Sequence, residues 1–292
     1  MNRDVVLAVI EGSKEIPTIG AVASEVVRLV SDPDADFGAV ARVMERDPAL
    51  TARVLRVVNS PYYCLRGEVA RVDLAVGLLG MTEVRNIALS VSVISDFSNR
   101  FCGEHFDWER FWEHSSGCAL IAQVFCRLLR LPTQGVEYVA GLLHDVGKIL
   151  LGHHFPEEFA RAVELTVGRG VPPARAEREV FGVDHGELGL WLATRWHFPA
   201  GMREAIGFHH QPRRAEEGEL LAAVVHLSDL LAKAKCMGYG GDLADTLADD
   251  PAWATVAQVR PELQNLDVER FTFNLDREVE AAQDLIRAAR AP

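Results

Sequence analysis

Along nearly all of this chain, apolar residues come back at three- and four-residue steps, as in Ile19–Val30 and Ala39–Met44. A helix carries 3.6 residues per turn, so this spacing makes one face apolar, whereas a half-buried strand would alternate every second residue. The expected fold class is therefore all-α. Local punctuation agrees. Ser31-Asp-Pro-Asp-Ala-Asp36 stands before Phe37, and Asp47-Pro48 offers a cap and a first-turn proline to a helix that runs through Val58 and stops at Asn59-Ser-Pro61.

A second block, Val72 to Val93, holds Leu74, Val76, Leu78, Leu79, Val84, Ile87, Leu89 and Val91, with Gly77 and Gly80 dividing it into two pieces. Mixed residues from Asp96 to Asp107, with Gly103 among them, mark a boundary. Beyond it the pattern predicts helices over Phe111–Leu129, Gly135–Leu151, Glu157–Gly168, Pro173–Val180, Gly186–Trp196, Ala200–His209 and Gly218–Met237. After Met237 the pattern weakens. Gly238, Gly240 and Gly241 lack the preceding strand and the following Gly-Lys-Ser/Thr of a phosphate loop and read as a turn. A terminal amphipathic helix is expected over Asp276–Arg290. No repeat or low-complexity tract occurs. The expected organisation is an N-terminal helical subdomain over residues 1–106, a helical core over 107–237, and a loop with a C-terminal helical extension over 238–292.

At 292 residues, 49% of them hydrophobic, the chain can fill a substantial core. Its 42 acidic and 30 basic residues leave a formal charge of -12, a field that repels phosphate backbones and anionic lipid. Neither nucleic acid nor membrane is therefore an expected partner. The arginines at 42, 46, 53, 56, 66 and 71 form a local exception and read as a solvated helix face. Five cysteines, with no C-x-x-C spacing, read as reduced core thiols. The N-terminus lacks signal-peptide features, and no apolar run reaches the roughly 18 residues of a membrane span. A cytoplasmic location is expected.

Candidate chemistry lies in VAGLLHDVGKILLGHH, residues 139–154, where His144, Asp145 and Lys148 interrupt an apolar run. On a helix, His144 and Asp145 would project about 100° apart, close enough for one interhelical ion to touch both. Further ligands must come from other helices. His114 after Phe111-Trp-Glu, His185 before Gly-Glu-Leu-Gly189, the pair His209-His210 at a helix end, and Asp229 are suitably placed. Imidazole with carboxylate suits a divalent transition metal such as iron, manganese or zinc better than calcium. Such an ion could acidify water and aim it at phosphorus, with Lys148 stabilising a phosphoryl oxygen. Taken singly, a buried histidine is ordinarily a satisfied core residue, and Asp145 could pair with Lys148. The recurrence of ligand types across one block of helices favours a site. His153 and His154 read as solvent or capping residues beyond a helix end, His226 as core or second to the site. His105 and His197 have no evident partner.

At these residues the chain resembles the HD superfamily of metal-dependent phosphohydrolases, whose hallmark is a His-Asp doublet, here His144-Asp145. More closely it resembles the HDOD family, the HD-related output domain of bacterial signalling proteins. The matching motifs are Ile16-Pro-Thr-Ile-Gly20, Asp47-Pro-Ala-Leu-Thr-Ala52, Val58-Asn-Ser-Pro-Tyr-Tyr63, Leu78-Leu-Gly-Met81, Val84-Arg-Asn-Ile87, Phe111-Trp-Glu-His-Ser115, Gly141–Lys148, Asp184–Gly189 and Ile206–His210. The resemblance implies a compact multi-helical HD-type bundle with an N-terminal helical subdomain. Mapping the ligands of the related HD-GYP phosphodiesterases implies metal ligation by His114, His144, Asp145, His185, His209, His210 and Asp229, with room for more than one ion. It also implies catalytic roles for Asp145 and Lys148. After His209-His210 comes Gln211-Pro212, without the glutamate and Gly-Tyr-Pro element of those enzymes, which argues against cyclic di-GMP hydrolysis.

Two functions are expected from this reading. The first is a bacterial signal-transduction module that binds signalling protein partners and retains an HD-type metal centre. The alternative is an active metal-dependent phosphohydrolase or phosphodiesterase acting on a nucleotide.

Overall fold

A computed structural model describes residues 1–13, 16, 25–26, 37–60, 63, 65–100, 107–133, 135–235, 247–265, 267, 270–272 and 275, without the side chains of 37, 95, 96, 98–100, 248, 264 and 265. Among these residues there are fourteen α-helices, a few 3-10 turns and no strand, so the fold is all-α. The chain divides into two compact units. Both expected subdomain boundaries, at 106 and 237, and the expected helix over 276–290 lie outside the described residues, as does most of Ile19–Val30.

One unit contains α2 (Phe37–Met44), α3 (Pro48–Val58), α4 (Val72–Leu79) and α5 (Met81–Arg100). Helix α3 starts where the residues dictate. Asp47 Oδ1 accepts the Leu50 N–H at 2.9 Å, Pro48 occupies the first turn, and Leu50, Val54, Val57 and Val58 form the buried face. The expected break in the Val72–Val93 block falls at Gly80 alone, whose φ of 85° an L side chain would resist; Gly77 stays inside α4. Asn59 staples the chain beyond α3 by exchanging two hydrogen bonds with the Val69 backbone, at 2.7 and 2.8 Å.

The other unit joins α1 (Arg3–Gly12) to α6 (Trp108–Leu129), α7 (Val136–Leu143), α8 (Val146–His154), α9 (Pro156–Arg169), α10 (Pro173–Phe181), α11 (His185–Arg195), α12 (Ala200–Phe208), α13 (Glu219–Ala234) and α14 (Ala252–Val259). Helix α6 is its axis, capped by Asp107 and buried along nearly its whole length between α7 and α13. The α6–α7 crossing is close: a Cβ on Gly141 would stand 2.9 Å from the Ala119 Cα. Phe125, Trp253 and Phe271 pack with ring centroids 5.3–6.1 Å apart and tie α14 to α6.

The expected continuous helix over Gly135–Leu151 is two helices. The chain turns at His144-Asp145, where Asp145 adopts φ -96° and ψ 5°, and its carbonyl accepts the Lys148 N–H at 2.9 Å to start α8. The turn lets α8 lie against the start of α11, and Gly147 makes the approach feasible because any Cβ there would overlap the His185 carbonyl. Helix α6 begins three residues before the expected Phe111, so His114 lies in its second turn. His153 and His154 are the last residues of α8. No helix among the described residues is long and apolar enough to cross a membrane.

Candidate metal centre

The six helices α6, α7, α8, α11, α12 and α13 deliver the ligand-type side chains to one buried point in a single unit. His114 comes from inside α6, His144 and Asp145 from the turn between α7 and α8, and His185 from the first position of α11. His209 and His210 directly follow α12, and Asp229 comes from the middle of α13. His114, His144, His185 and His209 are fully buried, Asp145 and Asp229 nearly so, and His210 half-buried. The turn that overturns the continuous-helix expectation aims His144 and Asp145 at the same point.

Asp145 divides the cluster in two. Its Oδ1 lies 3.1 Å from His185 Nε2 and 3.9 Å from His209 Nε2, while its Oδ2 lies 3.5 Å from His144 Nε2 and 3.8 Å from His114 Nε2. On the second side, Asp229 Oδ1 lies 3.0 Å from His114 Nε2 and 3.7 Å from His144 Nε2. On the first, His185 Nε2 lies 2.9 Å from His210 Nε2 and 3.4 Å from His209 Nε2. An ion about 2.1 Å from its ligands holds neighbouring donors about 3.0–3.4 Å apart in octahedral or tetrahedral geometry. The observed spacing is of that order on both sides.

The outward edges of the imidazoles are tied down. Nδ1 of His144 donates to the Gly141 carbonyl at 2.7 Å, Nδ1 of His209 to the Ile206 carbonyl at 2.8 Å, and Nδ1 of His185 to Glu177 Oε2 at 2.6 Å. Each bond turns Nε2 and its lone pair inward, the tautomer a metal ligand needs. Facing lone pairs at 2.9 Å repel one another unless a cation or a proton lies between them. His144 Nε2 and Asp229 Oδ1 are buried and meet only other ligand-type atoms of the cluster, as polar atoms arranged around an ion would. The residues present therefore fit a divalent metal.

Electrostatics point the same way. Burial pushes the Asp145 carboxyl upward, but His144, Lys148 and His185 outweigh it and hold the group well below the usual carboxylate range. Asp229 is likewise held down against burial, by Lys233 and by His114 and His144. Burial and the neighbouring imidazoles push His209 and His210 well below the ordinary histidine value. Against burial, Asp145 lifts His144 well above that value, and Glu177, with Asp145, lifts His185 to about 9. Protons on His144 and His185 thus balance the carboxylates in the way a divalent cation would.

Every ligand position expected from the sequence converges here, and Lys148 joins them, its Nζ 2.7 Å from Asp145 Oδ2. Two participants were not expected. Glu177 of α10, 2% exposed, accepts both the Nδ1–H and the backbone N–H of His185. Lys233 of α13 donates to Asp229 Oδ2 at 2.7 Å. Lys233 had a legible signal in its position four residues after Asp229; Glu177 had none. His226 turns away to Asp250 Oδ2 at 3.0 Å, His197 bonds the Arg195 carbonyl at the surface, and His153 and His154 lie elsewhere on α8. Cys118 and Cys126 are buried free thiols; Cys64, Cys102, Cys236 and His105 lie outside the described residues.

An all-helical bundle with a buried His/Asp cluster around a His-Asp doublet defines an HD-type fold. Residues 16–212 match the HDOD domain family, and the chain belongs to that family. It is similar to the crystal structure of an HDOD domain protein of unknown function from Geobacter sulfurreducens, with a TM-score of 0.82, 27% identity, and coverage of 98% of this chain and 96% of that one. A provisionally named phosphohydrolase from Shewanella amazonensis SB2B shares the fold, with a TM-score of 0.73, 24% identity and coverage of 97% of each chain. An uncharacterized protein of Treponema pallidum (strain Nichols) is 24% identical over 218 residues, 74% of this chain; the chain spans 42% of that relative's length.

Proposed function

We propose that this chain is a signal-transduction module that binds signalling protein partners and holds one or two divalent transition ions, of iron, manganese or zinc, between its helices. The observation that carries the reading is the convergence of inward-facing Nε2 atoms and carboxylate oxygens around Asp145, with their outward edges tied to carbonyls and to Glu177. A core that needed only packing would not arrange five histidines with their Nε2 atoms facing one another and two carboxylates. The three-nitrogen set and the two-nitrogen, two-oxygen set both suit these metals and neither suits calcium. His114, His144, Asp145 and Asp229 would hold one ion, and His185, His209, His210 and Asp145 the other.

A specific observation favours a second reading, an active phosphohydrolase on a nucleotide. Buried Lys148 holds a cation 2.7 Å from Asp145 Oδ2, and His210 is the least buried of the ligand-type residues gathered here. A bound divalent ion would supply Lewis acidity and an acidified water there. Lys148 would hold a phosphoryl oxygen, and Asp145 would keep the donors on both sides in register. The name given to the Shewanella amazonensis relative supports this reading.

Metal analysis of protein purified without chelator tests the first claim. Stoichiometric metal is expected in the wild type and a loss in His144→Ala; absence from both sinks the metal centre. Turnover of phosphodiester substrates with manganese, abolished by Asp145→Asn in protein that still folds, would establish the second reading over a purely regulatory role.

A further inference from the structure

Helix α1 is apolar on two sides and covered on one. Val6 and Ile10 are fully buried, and the helix packs on α8. It is firmly seated. The Met1 ammonium donates to the Val180 carbonyl at 2.6 Å, Trp191 of α11 donates its Nε1–H to Glu11 at 3.2 Å, and a Cβ on Gly182 would stand 3.0 Å from the Arg3 nitrogen. The opposite side carries Met1, Val5 and Val9, 48%, 48% and 44% exposed, with exposed Ala8 beside them. Their four-residue spacing makes one stripe, and a helix apolar on both sides is ordinarily covered on both. The charges bordering the stripe are acidic: Asp4, its side chain 89% exposed, and Glu11 two turns on lie along one edge. Arg3, the one base of the helix, lies between Asp4 at 3.7 Å and Glu187 at 3.5 Å. At the Met1 end the stripe meets a cavity of about 510 Å³ lined by Leu165 and Val180 together with Arg161, Glu164 and Glu179. Arg161 is held by Glu158 at 2.9 Å, so carboxylates prevail there too.

We infer that the outer face of α1 and this cavity dock an amphipathic helix of a signalling partner, its apolar side on Met1, Val5 and Val9 and its basic flank along Asp4 and Glu11. The inference rests on the partner-binding reading above and names the class of partner. A helix with apolar residues at i, i+3, i+4 and i+7 matches a stripe of this spacing, and the cavity has room for one large side chain. Charge selects the occupant. A second copy would bring another formal charge of -12 and set acidic edge beside acidic edge, and an anionic bilayer meets the same repulsion, whereas a basic flank is drawn in. The face is one ten-residue helix long, about 15 Å. That is well below the roughly 800 Å² per partner of a stable complex and suits reversible docking. Because α1 rests on α8 and bonds to α11, the docked helix sits on the elements that carry Lys148 and His185.

The test is fluorescence anisotropy with full-length protein and a labelled synthetic helix of leucine and lysine, the leucines at i, i+3, i+4 and i+7, beside the same peptide with glutamate for lysine. The lysine peptide should bind with a dissociation constant of about micromolar order, more weakly as salt rises, and the glutamate peptide at least about tenfold more weakly. Val5→Lys and Val9→Lys, which lose an apolar anchor and add a like charge, should each weaken the lysine peptide on the order of tenfold. Asp4→Lys, at a side chain that touches no core, should weaken it several-fold and serves if either valine variant loses its helical circular dichroism. Leu74→Lys, at an exposed leucine of the other unit, should change nothing. Equal binding of the two peptides, an equal loss in Leu74→Lys, or α1 variants that bind as the wild type does overturn the inference. So does a wild-type dimer in sedimentation that Val5→Lys converts to monomer, which would assign the stripe to a second copy. Metal content measured on the same samples keeps the two readings apart: absence of peptide binding overturns this docking face and leaves the metal centre standing.

Discussion

Glu177 grips His185 twice, its Oε2 accepting the backbone N–H at 2.8 Å and the ring Nδ1–H at 2.6 Å. The carboxylate thereby fixes both where α11 begins and which nitrogen of its first residue faces the cluster. Glu177→Gln keeps the shape but replaces a charged acceptor by a neutral one. Metal affinity on the His185, His209 and His210 side should fall by about 10- to 100-fold, with the fold retained. Competition against a chromophoric chelator measures it, and an unchanged affinity would show that Glu177 only caps the helix.

Gly147 sits where α8 presses on the His185 carbonyl, with no space for a side-chain carbon. Gly147→Ala must push the two helices apart. A stability loss of about 1–3 kcal/mol is expected, as for other overpacked contacts, together with weakened metal binding through the displaced His185. Urea unfolding monitored by circular dichroism reads the first effect and metal titration the second. Retention of both would mean that the α8–α11 contact is looser than described.

In metal-free protein the folded-state value of His185 is raised to about 9 against the ordinary 6.5, with Glu177 and Asp145 opposing burial. A group raised on folding holds its proton between those values, and an incoming ion must expel it. Apparent metal affinity should therefore rise as pH climbs from about 6.5 to 9, with proton release on binding. Titration calorimetry in buffers of different ionisation enthalpy counts the released protons; pH-independent uptake without release would contradict the assignment.

Asp47 caps α3 in the other unit. Asp47→Ala should destabilise that helix by about 1 kcal/mol, the ordinary value of an N-cap side chain. Metal content should not change, because the His/Asp cluster lies in the other unit. Thermal unfolding and metal analysis on the same sample make the comparison.

Helix periodicity and capping are local properties, decided within a turn or two of the chain, which is why the residues alone specified an all-α protein, the cap at Asp47 and a glycine break within Val72–Val93. Ligand chemistry was local too: a His-Asp doublet, a His pair and a lone Asp name themselves by type. Three features came only from packing. The break at His144-Asp145 depends on α8 meeting α11 across Gly147, and no nearby residue type forces it. The contact of Glu177 with His185 depends on how α10 returns to α11. The sharing of Asp145 between two sets of histidines depends on six helices converging. Distances between helices far apart in the chain are decided by side-chain volume over the whole core, so the sequence by itself determined which atoms were available to hold an ion, and the tertiary structure alone decided how they divide around Asp145.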